Sequence, residues 1–409
     1  MTLRLHQQEI VSTMKLEPKG QVIVPTGGGK TMCMIQDCID RIKSSWAFQV
    51  RTIVVVAPRI LLAEQLSSDF LEHVDNVDVM HVHSGETPHY SSTKPEKIRQ
   101  WNEDNWKRSK LIFTTYHSLI RVMQSGVKVD TIYFDEAHNS VQKNFAPSVV
   151  FFAAYTERCY FFTATPKHSL TRKKLGMNDT HIFGDVIANV PAPELVNAGY
   201  ILPPVVTTNR YPNHLDTTER DKEVILDTIK TQDSMEKVLV TAKSTRDISN
   251  LITQTNFQLI CHSMGYSVMW ITSKHGAIID GEKVSRDKFF DTMNEWGNHP
   301  DKKFLMFHHS ILSEGINVRG LTAAILMRNL DYITMAQTIG RVIRLHRDDM
   351  NNIDSGALTP GNVTGYRKPY GKLFVPVYNN VGISTHKRLQ NVVHTIFDKG
   401  QPAISEVTR

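Results

Sequence analysis

A glycine-rich segment followed by lysine and threonine is the first part of the sequence whose residue types could do chemistry. Residues 24–31 read Val-Pro-Thr-Gly-Gly-Gly-Lys-Thr and follow a short apolar run. Glycines have no Cβ, so consecutive backbone N–H groups can turn inward around a phosphate. The lysine then adds a positive charge at the terminal phosphates, and the threonine offers a hydroxyl to Mg²⁺. This segment predicts a nucleotide phosphate site made of Thr26, Gly27, Gly28, Gly29, Lys30 and Thr31.

Val24 stands where the general phosphate-loop pattern has its first glycine, which leaves an ordinary glycine-rich turn as the alternative. The apolar-periodic segment 32–42 that follows predicts a helix. The positive end of its dipole would point at the same phosphates. The order of strand, glycine loop and helix favours the phosphate site over the turn.

An acidic pair follows another apolar run. Residues 135–138 read Asp-Glu-Ala-His and come directly after residues 131–134. A carboxylate at the end of a buried strand can hold the Mg²⁺ that Thr31 also contacts, and its neighbour can orient or deprotonate a water. We therefore expect Asp135 to hold the metal and Glu136 to act as the general base. A solvated acidic cap on the strand is the alternative interpretation.

A third segment, residues 337–344, reads Gln-Thr-Ile-Gly-Arg-Val-Ile-Arg. Arg341 and Arg344 are three positions apart, which puts them on one face of a helix. A guanidinium placed at a transferring phosphoryl group stabilises its charge, as an arginine finger does. Gln337, one turn before Arg341, can share that face. The alternative is a solvated arginine pair on a surface helix.

These residues need elements to position them, and apolar runs alternate with amphipathic segments along most of the chain. The runs are rich in Val, Ile and Phe and too short for helices, as expected of strands buried on both faces of a parallel sheet. The predicted strands are residues 21–24, 52–57, 111–114, 131–134, 159–163, 237–241, 268–272, 304–307, 324–327 and 372–377. The alternation indicates βαβ units and one α/β domain in each half. We expect a first domain over residues 1–205, a linker over 206–216 in a proline-rich stretch, and a second domain over 217–409. Residues 347–368 are polar and glycine-rich and predict a long loop or hairpin, and His308, which follows a predicted strand, is expected in a loop.

Composition excludes several classes of protein. The chain has 409 residues, of which 41% are hydrophobic, so it is not a disordered regulator. Its formal charge of +6 is compatible with a polyanionic partner. Four cysteines without a C-x-x-C pair disfavour a disulfide scaffold or a structural zinc site. With no apolar run of about 20 residues and no signal-peptide pattern, we expect no membrane association and a cytoplasmic protein, in the host cytoplasm if the protein is viral.

The order of these motifs resembles that of superfamily 2 helicases of the DEAH type. Residues 3–7 resemble the motif of that family that recognises adenine, which implies that Gln7 contacts the adenine base. Residues 135–138 are similar to the DEAH box, and residues 163–166 to motif III. This resemblance implies that His138, Thr163 and Thr165 couple the nucleotide site to strand binding, and that His138 reaches the second domain. Residues 310–318 resemble motif V, which implies a nucleotide contact at Gly315, and residues 337–344 resemble motif VI.

A nucleic-acid track is also implied. Residues 57–59 resemble motif Ia and residues 114–116 the later strand-contacting motif, which points to Arg59 and Thr115. Residues 241–247 resemble motif IV, which points to Ser244 and Arg246. Phosphates are contacted by hydroxyls, backbone N–H groups and basic side chains. For Ser244 a helix N-cap is an equal alternative, since serine commonly caps a helix after a strand.

The resemblance implies two tandem RecA-like parallel-sheet domains with ATP and Mg²⁺ in the cleft between them. It predicts an ATP-dependent helicase or translocase that moves along or unwinds nucleic acid, DNA rather than RNA. The compact layout resembles DNA-repair and phage-recombination helicases, so we expect branched or recombination intermediates as substrates and a phage or viral origin. The alternatives are an RNA helicase, or a double-stranded DNA translocase that does not separate strands. The sequence leaves oligomeric state open and is compatible with a monomer.

Overall fold

A computed structural model describes residues 2–44, 50–171, 173–212, 216–272, 274–309, 320–378 and 380–407. The chain divides into two compact units. The first comprises Met1–Pro191 together with Pro402–Arg409, and the second comprises Ala192–Gln401. This division falls before the proline-rich stretch in which we expected the linker, and it returns the last residues to the first unit.

The first unit is built around a sheet whose described strand pairs are all parallel, in the order β4-β3-β5-β2-β6-β7-β1-β9. The strands up to residue 189 are β1 (Lys19–Ile23), β2 (Thr52–Ala57), β3 (Val77–Val82), β4 (Tyr90–Ser91), β5 (Ser109–Thr115), β6 (Thr131–Phe134), β7 (Arg158–Thr163), β8 (Lys167–His168) and β9 (Val186–Asn189). The helices are α1 (Leu5–Leu16), α2 (Lys30–Lys43), α3 (Ile60–Leu71), α4 (Pro95–Asp104), α5 (Leu119–Ser125), α6 (Ala146–Tyr155) and α7 (Thr180–Phe183).

The central strands of this sheet are apolar on both faces. Every residue of β2 and of β6 is buried, because the helices that connect parallel strands cover both sides of the sheet. The loops that follow β1, β6 and β7 therefore leave the sheet at the same edge. This arrangement brings the glycine loop, the acidic pair and residues 163–166 to one end of the first unit.

The second unit has its own sheet, in the order β10-β17-β16-β11-β15-β12-β13-β14. Its strands are β10 (Pro204–Arg210), β11 (Lys237–Thr241), β12 (Tyr266–Thr272), β13 (Gly276–Ile279), β14 (Glu282–Val284), β15 (Lys303–His308), β16 (Ala323–Leu326) and β17 (Gly371–Val377). Its helices are α8 (Ala192–Asn197), α9 (Thr217–Thr231), α10 (Thr245–Thr253), α11 (Phe257–Ser263), α12 (Arg286–Asn298), α13 (Tyr332–Val342), α14 (Arg347–Asp354) and α15 (Asn380–Val393), which continues into a π-helix (His394–Asp398). Strands β12, β13 and β14 form an antiparallel meander, and the other described pairs are parallel. The final strand, β18 (Ser405–Glu406), pairs with β8.

Two expectations about elements were wrong. The expected connector contains β10, which pairs with β17 along its whole length. Four consecutive β-branched residues, 205–208, favour a strand, and Pro204 is tolerated because it begins an edge strand. Residues 347–368, expected to be a long loop or hairpin, begin with α14. The ring of His346 caps this helix by accepting a hydrogen bond from Asp348 N at 3.2 Å.

The predicted central strands are confirmed, with ends that differ by no more than two residues. In the described part of the chain, no helix is long and apolar enough to cross a lipid bilayer.

Candidate active site

The glycine loop leaves β1 and leads directly into α2. Gly27 and Gly29 have φ angles of +90° and +83°, the left-handed region that glycine adopts without strain. A hydrogen bond from Gly28 N to Pro25 O at 3.0 Å closes the turn. Lys30 is then the first residue of α2. The loop has the form that the sequence predicts for a phosphate cradle at a helix N-terminus.

Helix α1 lies against this loop through two neighbouring side chains. Gln7 Nε2 donates to Gly29 O at 3.2 Å, while its Oε1 accepts from Arg4 N at 2.9 Å. His6 Nε2 lies 2.8 Å from Gly28 O. A Cβ at Gly29 would lie 2.2 Å from Gln7 Nε2, so any other residue there would displace the Gln7 amide. Gln7 therefore lies beside the loop. His6 was missed, because a single histidine on a helix carries no pattern.

The acidic pair follows β6 and is buried. Lys30 Nζ lies 3.7 Å from Glu136 Oε1, so the loop lysine and the carboxylates are brought together. Burial raises the pKa of Asp135 to about 7; Glu136 adds to this rise and Lys30 opposes it. Glu136 has a φ of +46°, which is rare for a residue other than glycine.

His138 links the acidic pair to the segment after β7. Its Nδ1 lies 3.2 Å from Thr163 Oγ1, 3.4 Å from Thr165 Oγ1 and 3.5 Å from Glu136 Oε2. Thr165 N donates to Thr163 Oγ1 at 3.1 Å, which fixes the threonine pair. All these groups are buried in the first unit. The three residues that we expected to have a coupling role are thus in contact with one another within the first unit.

The arginine segment lies in the second unit. The side chain of Asp331 caps α13 by accepting from Thr334 N at 3.0 Å. Gln337 and Arg341 are buried on this helix. The helix ends at Val342, so Arg344 follows it instead of sharing its face as expected.

A buried histidine lies near Arg341. His308, the last residue of β15, is fully buried, although the sequence suggested a loop residue. Burial lowers the pKa of His308 well below its ordinary value, and the charges of Arg341 and Arg328 lower it further. The neighbour of Arg341 is therefore a neutral imidazole. Gly315 and the rest of the segment 310–319 lie outside the described residues.

The candidates for nucleic-acid contact differ in exposure. Ser244 Oγ accepts from Asp247 N at 3.1 Å and is the N-cap of α10. Thr115 is buried, and its hydroxyl accepts from Ser118 N at 3.3 Å. Arg246 is exposed and Arg59 is half-buried at the start of α3. For Ser244 the capping alternative is confirmed, and the two arginines are the more accessible candidates.

Residues 1–168 match the family model described as type III restriction enzyme, res subunit. No curated protein matches the chain. Among solved structures, the chain is similar to the ATP-dependent Type ISP restriction-modification enzyme LlaBIII bound to DNA, with a TM-score of 0.75 and 15% identity over 100% of this chain and 31% of that one. A putative HsdR subunit of a type I restriction enzyme from Vibrio vulnificus YJ016 gives a TM-score of 0.61 and 17% identity over 99% of this chain and 68% of that one.

A third similar structure is Mss116p bound to ssRNA and AMP-PNP, with a TM-score of 0.59 and 14% identity over 100% of this chain and 75% of that one. The chain spans about a third of the length of LlaBIII. These likenesses, with one parallel sheet and one mainly parallel sheet, confirm the predicted α/β fold of two RecA-like domains. The chain therefore has a tandem RecA-like fold. Neither a DEAH subtype nor a phage origin follows from the likenesses.

Proposed function

We propose that the chain is an ATP-dependent nucleic-acid motor of the helicase type, which hydrolyses ATP with Mg²⁺ to move along or unwind DNA. One observation supports this most directly. The glycine loop, opened by two left-handed glycines, places Lys30 Nζ 3.7 Å from Glu136 in the same unit that holds Gln7 against the loop. The groups to which we assign phosphate binding and water activation are therefore neighbours, which supports the proposal.

The residues present fit a magnesium nucleotide. Asp135 is a buried carboxyl with a raised pKa, and a buried anion of this kind is stabilised by a cation. Among the described residues there is no group of three or more His, Cys, Asp or Glu side chains arranged to hold a metal. Mg²⁺ needs no such group, since one or two carboxylates suffice when substrate phosphates supply the other ligands. Asp135 and the Thr31 hydroxyl would hold the ion, which would neutralise charge on the phosphates.

Each side chain then has a defined task in hydrolysis. The backbone of residues 26–29 and Lys30 bind the phosphates, and Gln7 reads the adenine. Glu136 accepts the proton of the attacking water. Arg341 and Arg344, with Gln337, stabilise the charge of the transferring phosphoryl group, a contribution of about 10³–10⁵ in rate for arginine fingers.

DNA is the proposed partner. LlaBIII is described as bound to DNA, and a nuclease-deletion mutant of the Type ISP enzyme LlaGI as in complex with a DNA substrate mimic. Mss116p is described as bound to ssRNA, which keeps RNA as the alternative. Arg59 and Arg246 would contact phosphates, with Thr115 and Ser244 as lesser candidates. Branched or recombination intermediates remain our proposal for the form of DNA.

The test compares ATPase rates without nucleic acid and with single-stranded DNA, forked DNA and RNA, in parallel with strand displacement. We expect the greatest stimulation by DNA. Stimulation without displacement would indicate a translocase that does not separate strands. Glu136→Gln should abolish turnover while nucleotide binding is retained. The exposed Glu72→Gln is the control. An unaltered ATPase rate in Glu136→Gln would contradict the proposed role.

A further inference from the structure

The C-terminal end of α13 is held by several parts of the second unit. The last carbonyls of a helix have no partner within the helix and need one elsewhere. Ile343 O accepts from Leu202 N at 2.7 Å, and Arg344 O accepts from Lys368 Nζ at 2.7 Å. A Cβ at Gly371 would lie 2.5 Å from Val342 O, so the start of β17 packs directly on the helix end.

Lys368 makes a second bond of the same kind. Its Nζ donates to Leu321 O at 2.6 Å, and its side chain is buried. Leu321 comes just before β16 and just after residues 310–319. One ammonium group therefore joins the peptide of Arg344 to the peptide that leads into β16.

The backbone of Lys368 is held as well. Asp349 is buried on α14, and its two carboxylate oxygens accept from Arg367 N at 2.7 Å and from Lys368 N at 3.0 Å. The lysine is thus fixed at its backbone and at its ammonium group. Its conformation leaves little freedom for the two carbonyls that it binds.

This arrangement opposes the ordinary preference of lysine for water. The pKa of Lys368 is lowered to about 7, mainly by burial and in smaller part by the charge of Arg344. The two bonds to carbonyls and the negative end of the α13 dipole offset part of that cost. The result is a buried amino group bonded to the peptide of an arginine of the proposed catalytic set.

We infer that Lys368 is a positioning residue for ATP hydrolysis: by fixing the Arg344 peptide against Leu321, it holds the Arg344 guanidinium where it acts on the transferring phosphoryl group. The inference rests on the proposed function of Arg344. Displacing a catalytic group by about 1 Å can reduce a rate by about 10²-fold. Loss of the lysine should therefore reduce turnover and not nucleotide affinity.

The chain offers a matched control for the test. Lys237, on β11, is also buried, and its Nζ donates to Gly297 O and to His299 O, each at 2.7 Å. It holds the end of α12 instead of the arginine segment. Lys368→Met and Lys237→Met remove the same chemistry and leave two carbonyls without their donor.

We expect Lys368→Met to lower kcat by about 10- to 100-fold, with the KM for ATP within about twofold. Lys237→Met should keep kcat within about twofold of wild type, even if its melting temperature falls as much as that of Lys368→Met. Equal losses of kcat in the two variants would mean that both act through stability, and the inference would be overturned.

A double-mutant cycle with Arg344→Ala identifies the route of the effect. Lys368→Met should cause no further loss of kcat once Arg344 is removed. Independent, multiplicative losses would overturn the inference and leave the role of Arg344 intact. An Arg344→Ala protein with unchanged kcat would instead contradict the proposed function of Arg344, and this inference with it.

A milder variant serves if Lys368→Met does not fold. Asp349→Asn replaces one carboxylate oxygen with an amide nitrogen, which cannot accept a hydrogen bond. One of the two backbone N–H groups therefore loses its acceptor. The substitution loosens the lysine without removing it. We expect a smaller decrease of kcat that is again absent in the Arg344→Ala background. An unchanged kcat in folded Asp349→Asn would count against the inference.

Discussion

At the scale of single residues, two left-handed backbones set the geometry of the proposed phosphate site. Gly29, with a φ of +83°, lets Gln7 approach the loop. Glu136 adopts a φ of +46° without being glycine, a conformation that commonly costs about 1–3 kcal/mol and is found at functional sites. The surrounding buried contacts hold the backbone of Glu136 in this unfavourable conformation, which sets the direction in which its side chain leaves the chain.

Gly29→Ala should weaken nucleotide binding, because the new Cβ would displace the Gln7 amide from the loop and alanine disfavours the left-handed backbone of this position. Gly126→Ala is the matched control. Gly126 has a similar φ of +73°, but a Cβ there would meet no atom within 4 Å. Both substitutions should lower the free energy of unfolding by about 1–2 kcal/mol. Denaturant unfolding and titration with a fluorescent ATP analogue measure the two effects, and wild-type affinity in Gly29→Ala would refute the cradle.

Residue types predicted part of the site and missed the rest for clear reasons. The glycine loop and the acidic pair follow strands of one parallel sheet, so their convergence could be predicted. Lys368 could not, because its partners are backbone carbonyls, which leave no mark on the sequence. His308 was expected in a loop, since its burial depends on neighbours from other elements.

At the scale of helices and strands, hydrophobic patterning succeeded where burial is complete on both faces. It failed at the edges of the sheets. Strand β10 looked like a connector because of its prolines, and the β13–β14 hairpin was missed because it is short and half-exposed. Helix α14 has one buried residue, Asp349, so its sequence shows no apolar face.

The start of α10 allows capping to be separated from nucleic-acid contact. Ser244→Ala should lower the free energy of unfolding by about 0.5–2 kcal/mol through loss of the N-cap, with little change in DNA affinity. Arg246→Ala should weaken DNA binding and leave stability unchanged, because this side chain is exposed. Thermal unfolding and fluorescence anisotropy separate the two. A Ser244→Ala protein of normal stability and weak DNA binding would show that Ser244 contacts DNA and is not needed as a cap.

Strand β3 carries a pH-sensitive histidine. His81 is buried, with Ser67 and His83 each 2.9 Å from its ring nitrogens and His89 stacked on it. Burial lowers the pKa of His81 to about 4, and His83 and His89 add to the effect. The pKa of His81 in the folded protein lies below its unfolded value of about 6.5. The contribution of His81 to the free energy of unfolding is therefore fully present above pH 6.5 and is lost as the pH falls towards 4.

The expected loss is up to about 3 kcal/mol between these two pH values. His81→Gln should flatten this dependence, because the amide does not titrate. His73→Gln, at an exposed position after α3, should leave it unchanged. Urea unfolding at a series of pH values gives the slopes, and equal slopes in wild type and His81→Gln would contradict the assignment.

At the scale of the whole molecule, the chain visits the first unit twice. After the second unit it returns to place β18 beside β8, with Ala403 fully buried and Val407 packed against the core of the first unit. This return could not be predicted from the sequence, because two-residue strands carry no periodicity. The predicted two-domain organisation therefore lacked its final segment.

Truncation after Gln401 should destabilise the first unit selectively, by about 2–3 kcal/mol for the lost apolar burial. Limited proteolysis should then cleave within residues 1–191 earlier than in the intact chain, while fragments of the second unit persist at the same rate. Ser405→Gly, which keeps the segment, is the milder control. Unchanged proteolysis of the first unit would show that the segment contributes nothing to its stability.

The meander at the end of the second sheet has a further consequence. Its last strand, β14, carries Glu282 and Lys283, both exposed, on a stretch of three residues. A short, charged border strand is a poor template for another chain, since adding a strand there would bury ions beside unpaired amides. Even at high concentration, this border should resist the growth of ribbon-like aggregates.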